Sequence, residues 1–117
     1  IMPVCSSITY DKDGMLLNTN ADTIASEISS KMSKIYETQL WYCFEEKGVY
    51  QSDNKKNIIH KLDMATFKSL KSKGIISKGM IPKVNNCFNG LKNGVSKVLI
   101  GSLDAMIKND TYTEIIP

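Results

Sequence analysis

Lys83 lies in the segment GIISKGMIPKVNN, directly after a proline and within the first turn of an apolar-periodic helix. A cation is unfavourable there, because a helix N-terminus presents unpaired N–H groups and the positive end of the dipole. The placement makes sense if an anion arrives beside it. A helix N-terminus preceded by a glycine turn is a ready phosphate site, and Gly79, followed by Met80, supplies that turn. Two other segments carry matching chemistry. NTNAD contributes Asn18, Asn20 and the Asp22 carboxylate, and EEKGV contributes Glu45, a turn at Gly48, and Val49. In an open α/β sheet, ligands gather at the carboxyl ends of the strands, where helices begin. All three segments arrive at that edge. Together they could hold a polyphosphate and position an acceptor, and phosphoryl transfer asks little more of a protein than positioning and charge neutralisation.

Each of these residues also has a structural explanation. Asp22 suits a helix cap, and Asn18 and Asn20 suit a hairpin end closed by side-chain-to-backbone bonds. Gly48 and Gly79 serve turns, and Lys83 can snorkel to solvent. Glu45 and Glu46 read as solvated charge, and His60 as a half-buried residue near a loop end. The order of the three segments along one chain is what favours chemistry.

The elements that must position these groups read as alternating strands and helices. Residues 1–8 form an apolar run suited to a buried strand, and Asp13-Gly14 marks a hairpin turn. A helix follows, with Asp22 as its cap and Ile24, Ile28, Met32 and Ile35 on its inner side. TQLWYCF reads as a central strand. A second helix runs through HKLDMATFKSLKSKG, capped by Asp63, with Phe67 and Leu70 inward and Gly74 as its stop. A third spans MIPKVNNCFNGLKNG, with Val84, Phe88 and Leu91 on one stripe. VSKVLIG is the last strand, followed by a polar tail. The pattern predicts an α/β fold with an open, mostly parallel sheet flanked by helices, in one domain over residues 1–117.

Composition narrows the function classes. With 42% hydrophobic and 23% charged residues the chain is an ordinary globular one. No apolar run reaches the ~20 residues of a membrane span, which argues against a membrane role. Cys5, Cys43 and Cys87 fit reduced, buried thiols in a cytoplasmic protein. A lone histidine and no CxxC pair argue against a metal site. All 15 basic residues are lysine. Without arginine's planar fork, sequence-specific nucleic-acid binding is disfavoured. Lysines 55, 56, 68, 71, 73 and 78 read as a solvated face.

The order SSI…DG…LLNTNAD, then an apolar strand with a glycine loop, then GIISKGMIPKVNNC, resembles the C-terminal half of the acetylglutamate kinases, a branch of the amino-acid kinase family. A GxMxxK-type segment is shared more loosely across that family, including carbamate kinase, glutamate kinase and aspartokinase. NxNAD paired with GMIPKV is closer to the acetylglutamate branch. The similarity runs from about Met2 to Ile100, and the final TEI resembles the family's GTxI-like ending. The resemblance implies an αβα sandwich whose C-terminal lobe binds nucleotide. It implies ATP and Mg2+ as cofactors, ATP/ADP and an N-acylglutamate as partners, and transfer of the γ-phosphoryl group to a side-chain carboxylate in arginine synthesis. Lys83 would then neutralise the nucleotide phosphates, and Asp22 would orient catalytic lysines by ion pairing. Asn18 and Asn20 would hold the acylglutamate, while Gly79, Met80 and the 45–49 loop would line the ATP site.

Departures accompany the resemblance. Where the family reads TDVxGV or SDVxGI, this chain reads YCFEEKGVY, so Phe44 and Glu45 replace a hydroxyl residue and an aspartate. The family's KxGG loop, its GGG segment and its substrate-clamping arginine have no counterpart, which leaves this chain alone expected to be inactive. An exposed sheet edge would then offer a route to a homo-oligomer. Other acceptors (N-succinylglutamate, carbamate, glutamate) and a non-catalytic relic of the same fold are the alternative readings.

Overall fold

The computed structural model describes residues 2–52, 54–76 and 78–117, so Ile1 lies outside the described residues. A four-stranded sheet forms the centre: β3 (Gln39–Cys43), β4 (Lys61–Leu62), β5 (Lys97–Gly101) and β6 (Thr113–Ile115), in the order β3-β5-β6-β4. β3 pairs β5 and β4 pairs β6 in parallel, whereas β5 and β6 run antiparallel. The expected α/β sheet is present, with one antiparallel joint at its middle. Period-two alternation fixes its inner face. Register places Leu40, Val98, Ile115 and Leu62 in one row across all four strands, with Tyr42, Ile100 and Thr113 in the next. All seven are buried. Each large apolar member contributes about 1.5–3 kcal/mol by leaving water.

Three longer helices accompany these strands. α1 (Ala21–Met32) begins at Asn20, α2 (Met64–Ser72) at Asp63 and α3 (Met80–Lys92) at Gly79. α2 and α3 behave as their periodicity predicts: Phe67, Leu70, Val84 and Phe88 are buried, and the Phe67 and Phe88 rings meet at 5.7 Å. Gly74 and Gly94 end them with φ of +72° and +97°, a region in which L side chains are strained. A short helix, α4 (Leu103–Lys108), capped by Ser102, packs against the outer face of β3, where the Cys43 and Met106 sulfurs lie 3.9 Å apart.

Several expectations give way here. The run before the hairpin is no buried strand: Val4 is 93% exposed, and pairing begins only with β1 (Ile8–Tyr10) against β2 (Leu16–Asn18), a separate two-stranded sheet turning at Gly14. β3 is an edge strand in this chain and not a central one. The supposed polar tail is α4 and β6, and β6 sits inside the sheet; two alternating inward residues, Thr113 and Ile115, suffice to bury a strand too short to show a pattern. β4 likewise occupies the start of the segment read as helix. On α1 the inner face is Ser26, Ser29 and Ser30, while Ile28, Met32 and Ile35 are exposed. Both stripes have helical spacing, and close approach to α3 selects the small one. Cys5 and Cys43 are exposed and only Cys87 is buried, all three as free thiols; His60 is exposed too. The six lysines assigned to a solvated face are exposed. Among the described residues no helix is long and apolar enough to cross a membrane.

The α2 cap carries a pH prediction. Asp63 accepts the Thr66 N–H at 2.7 Å, and that bond holds its carboxyl below the usual carboxylate range. The unfolded chain therefore binds this proton more readily. The cap's stability is fully present above the unfolded value of 3.8 and is lost as pH falls through the lower folded value. Acid denaturation followed by circular dichroism should steepen below pH 3.8. Asp63→Asn keeps the cap and should remove part of that slope; an unchanged slope contradicts the assignment.

Candidate functional site

The first turn of α1 is organised by Asn20, whose Oδ1 accepts from the backbone N–H groups of Asp22 (2.9 Å) and Thr23 (3.3 Å). The cap is thus Asn20 and not Asp22, and the Asp22 carboxylate is left to point elsewhere. It meets Lys83, 61 residues away and in the first turn of α3: Nζ lies 2.7 Å from Oδ2 and 2.9 Å from Oδ1. The side chains are 30% and 20% exposed respectively, so the pair is largely sheltered yet still reachable from solvent. Lys83 does not snorkel away. An ammonium has three donors. Two are directed at Asp22, and the third has no protein acceptor among the described residues.

β3 supplies the wall. Tyr42 places its ring under the ammonium, Nζ to centroid 5.3 Å, and donates its hydroxyl to the Asp22 carbonyl oxygen at 3.0 Å. Burial, with smaller contributions from Cys87 and Asp22, pushes the phenol up to about 12, so it stays a donor at neutral pH. One turn beyond Lys83, Cys87 is fully buried, and burial raises its thiol well above the ordinary range. Such a thiol is neutral and inert.

A cleft of about 310 Å³ is lined by Glu46, Gly48, Val49, Tyr50, Ser52, Lys55, Gly74, Ile75, Ile76 and Met80, without Lys83 or Asp22 themselves. Met80 precedes Lys83 by three residues on α3, which puts both on one helix face and leads the cleft towards the ammonium. Gly48 is there for a packing reason. A Cβ at this position would come within 2.7 Å of Thr113 Oγ1 and 2.8 Å of Ile58 Cγ2. That closeness lets the next residue, Val49, donate its N–H to Thr113 Oγ1 at 2.8 Å, tying the loop to β6. At the rim Glu46 pairs with Lys55; the Lys55 hydrogen bond holds the Glu46 carboxyl below its usual range, and Glu46 raises Lys55 in turn.

Of the residues singled out from sequence, Lys83 and Asp22 come together, and Gly48, Val49 and Met80 line one cleft. Gly79 caps α3 without lining the cleft, and Glu45 is exposed outside it while its neighbour Glu46 lines it. Asn18 ends β2, exposed and paired with Ile8. Sequence reasoning missed Tyr42, Tyr50, Lys55 and the Gly74–Ile76 wall. The apolar Ile75-Ile76 directly after the helix-stopping Gly74 was the available signal for the last.

A family model described as Amino acid kinase family matches residues 1–102. This chain belongs to the amino acid kinase family. This chain is 42% identical over 109 residues to the acetylglutamate kinase of Cytophaga hutchinsonii, covering 92% of this chain and 41% of that protein. The crystal structure of smu.665 from Streptococcus mutans UA159 superposes with a TM-score of 0.73 at 28% identity, over 93% of this chain and 40% of that one. The carbamate kinase from Giardia lamblia bound to AMP-PNP gives 0.66 at 14% identity, over 93% and 40%, a likeness of fold alone. The chain thus spans about 40% of the length of these relatives.

Proposed function

We propose that this chain is the nucleotide-binding part of a kinase of the acetylglutamate type, transferring the γ-phosphoryl group of ATP to a side-chain carboxylate. The observation that carries the reading is the Lys83–Asp22 pair, with one ammonium donor uncommitted and Lys83 on the same helix as Met80, which lines a cleft with Gly48 and Val49. The 42% identity to a protein named acetylglutamate kinase supports the acceptor class, and the NTNAD segment supplies Asn18 and Asn20 to hold it.

In this reading the base and ribose occupy the cleft, and the phosphates extend along the first turn of α3. The acceptor is already an anion, so its carboxylate oxygen attacks the γ-phosphorus without losing a proton. The bond from the γ-phosphorus to the β,γ-bridging oxygen breaks, ADP leaves with the electron pair, and an acyl phosphate forms. Lys83 directs its third donor at the phosphate oxygens and offsets their charge. Asp22 fixes the direction of that donor. Mg2+ would supply further charge neutralisation. The described residues hold no group of three His, Cys, Asp or Glu side chains suited to a metal; the ion would be held mainly by the nucleotide phosphates and water, with Asp22, already bonded to Lys83, the carboxylate within the site.

Two measurements test the reading. Calorimetry should show the chain binding ADP or ATP in preference to AMP, because the phosphates carry the contact to Lys83. An assay with MgATP and acetylglutamate should give no acyl phosphate from this chain alone, since it spans only 41% of the length of the acetylglutamate kinase it matches. Failure to bind any nucleotide refutes the reading, and turnover by the chain alone refutes the assignment of a partial site.

A further inference from the structure

We propose that Tyr42 is the positioning residue for the Lys83 ammonium: its ring face and the Asp22 carboxylate hold Nζ from two sides, and its hydroxyl fastens the first turn of α1 to β3. The proposal deepens the nucleotide-binding reading and rests on it for one of its two tests.

A lysine on a helix surface has a flexible four-carbon stem and a strongly hydrated head, so it normally turns to solvent. Lys83 does the opposite. Its ammonium stays over an aromatic ring at 5.3 Å while bonding both oxygens of Asp22. The negative face of the ring attracts a cation, more strongly when both are sheltered from water, and Tyr42 is only 3% exposed. The same residue reaches the other partner, since its hydroxyl donates to the Asp22 carbonyl at 3.0 Å. One side chain on β3 therefore sets both halves of an ion pair that joins α1 to α3. Tyr42 also belongs to the buried core, but core packing asks neither for a hydroxyl bond to Asp22 nor for an ammonium over the ring. A fixed ammonium leaves its remaining donor aimed in one direction, which is what a phosphate acceptor requires.

Three substitutions separate the ring from the hydroxyl and from simple bulk. Tyr42→Phe keeps the ring and loses the hydroxyl, Tyr42→Leu loses both, and trifluorophenylalanine at position 42 keeps the shape while stripping the negative face. The first readout is the proton resonance of the Lys83 ε-methylene. In the wild type it should lie upfield and show a nuclear Overhauser effect to the Tyr42 ring. The upfield shift should persist in Tyr42→Phe and vanish in Tyr42→Leu. The second readout is ADP affinity, expected to fall about ten-fold in Tyr42→Leu and in the fluorinated variant, but less than three-fold in Tyr42→Phe. Equal losses in Tyr42→Phe and Tyr42→Leu overturn the proposal, as does a fluorinated variant that binds like Tyr42→Phe. Should Tyr42→Leu fail to fold, the wild-type Overhauser effect and the fluorinated variant still decide. A wild-type chain that binds no ADP sinks the nucleotide reading and leaves the resonance test to judge the positioning.

Discussion

Lys83→Ala should lower the affinity of this chain for ADP or ATP by ten-fold or more while leaving it folded. Hydrogen bonds to charged groups contribute about 1.5–3 kcal/mol, and each 1.4 kcal/mol is roughly a factor of ten in affinity. The loss should be felt at the phosphates, so the variant should bind ATP, ADP and AMP with similar, weak affinity. Folding should survive because the Asp22 carboxylate is 30% exposed and can take water in place of the ammonium. Lys83→Arg is not expected to rescue: a planar fork neither sits in the same geometry over the Tyr42 ring and both Asp22 oxygens nor presents a single free donor beyond them. Equal nucleotide affinity in the wild type and Lys83→Ala, measured by calorimetry, would remove Lys83 from the proposed role.

The second large effect concerns stability. Gly48→Ala should cost about 2–3 kcal/mol, combining overpacking with a weakened buried hydrogen bond. The new methyl would lie 2.7 Å from Thr113 Oγ1, 2.8 Å from Ile58 Cγ2 and 3.2 Å from the Thr113 backbone nitrogen. Thr113 is fully buried within the sheet, so it cannot move aside without disturbing β6. Displacing its hydroxyl also strands the Val49 N–H, which it accepts at 2.8 Å. For a domain of this size the loss corresponds to a fall in Tm on the order of ten degrees, readable by calorimetric or circular-dichroism melting. Thr113→Val tests the hydrogen-bond share alone, because it keeps the shape and removes the acceptor. A Gly48→Ala melting curve indistinguishable from wild type would show that the loop is not held against β6.

The juxtaposition of Asp22 and Lys83 was legible because helix N-termini and strand ends gather at one rim of an α/β sheet, whatever the intervening chain does. The role of Asp22 as a cap was misread for a local reason. Asn20 and Asp22 are both good capping residues two positions apart, and only the backbone decides that the helix starts at Ala21. The buried face of α1 was misread because serines and isoleucines repeat with the same period, and apolarity is the wrong criterion where two helices pack closely. β4 and β6 are two and three residues long, too short for any alternation to show. Tyr42 was hidden for a different reason. Its ring and hydroxyl look like ordinary strand core until the distances to two residues, 20 positions before it and 41 after, are known. Glu46 rather than Glu45 faces the cleft, a one-residue difference that loop sequence does not resolve.

The central claim is that the Lys83 ammonium, held by Asp22, meets the phosphates of a nucleotide bound in the Gly48–Met80 cleft. Titrating the isotope-labelled chain with AMP-PNP and following the backbone amides together with the Lys83 side-chain signals tests it most directly. The account predicts that Gly48, Val49, Met80 and Lys83 shift along one saturating curve, and that replacing AMP-PNP with adenosine abolishes the Lys83 change alone. A Lys83 signal that stays still while the cleft residues saturate would contradict it.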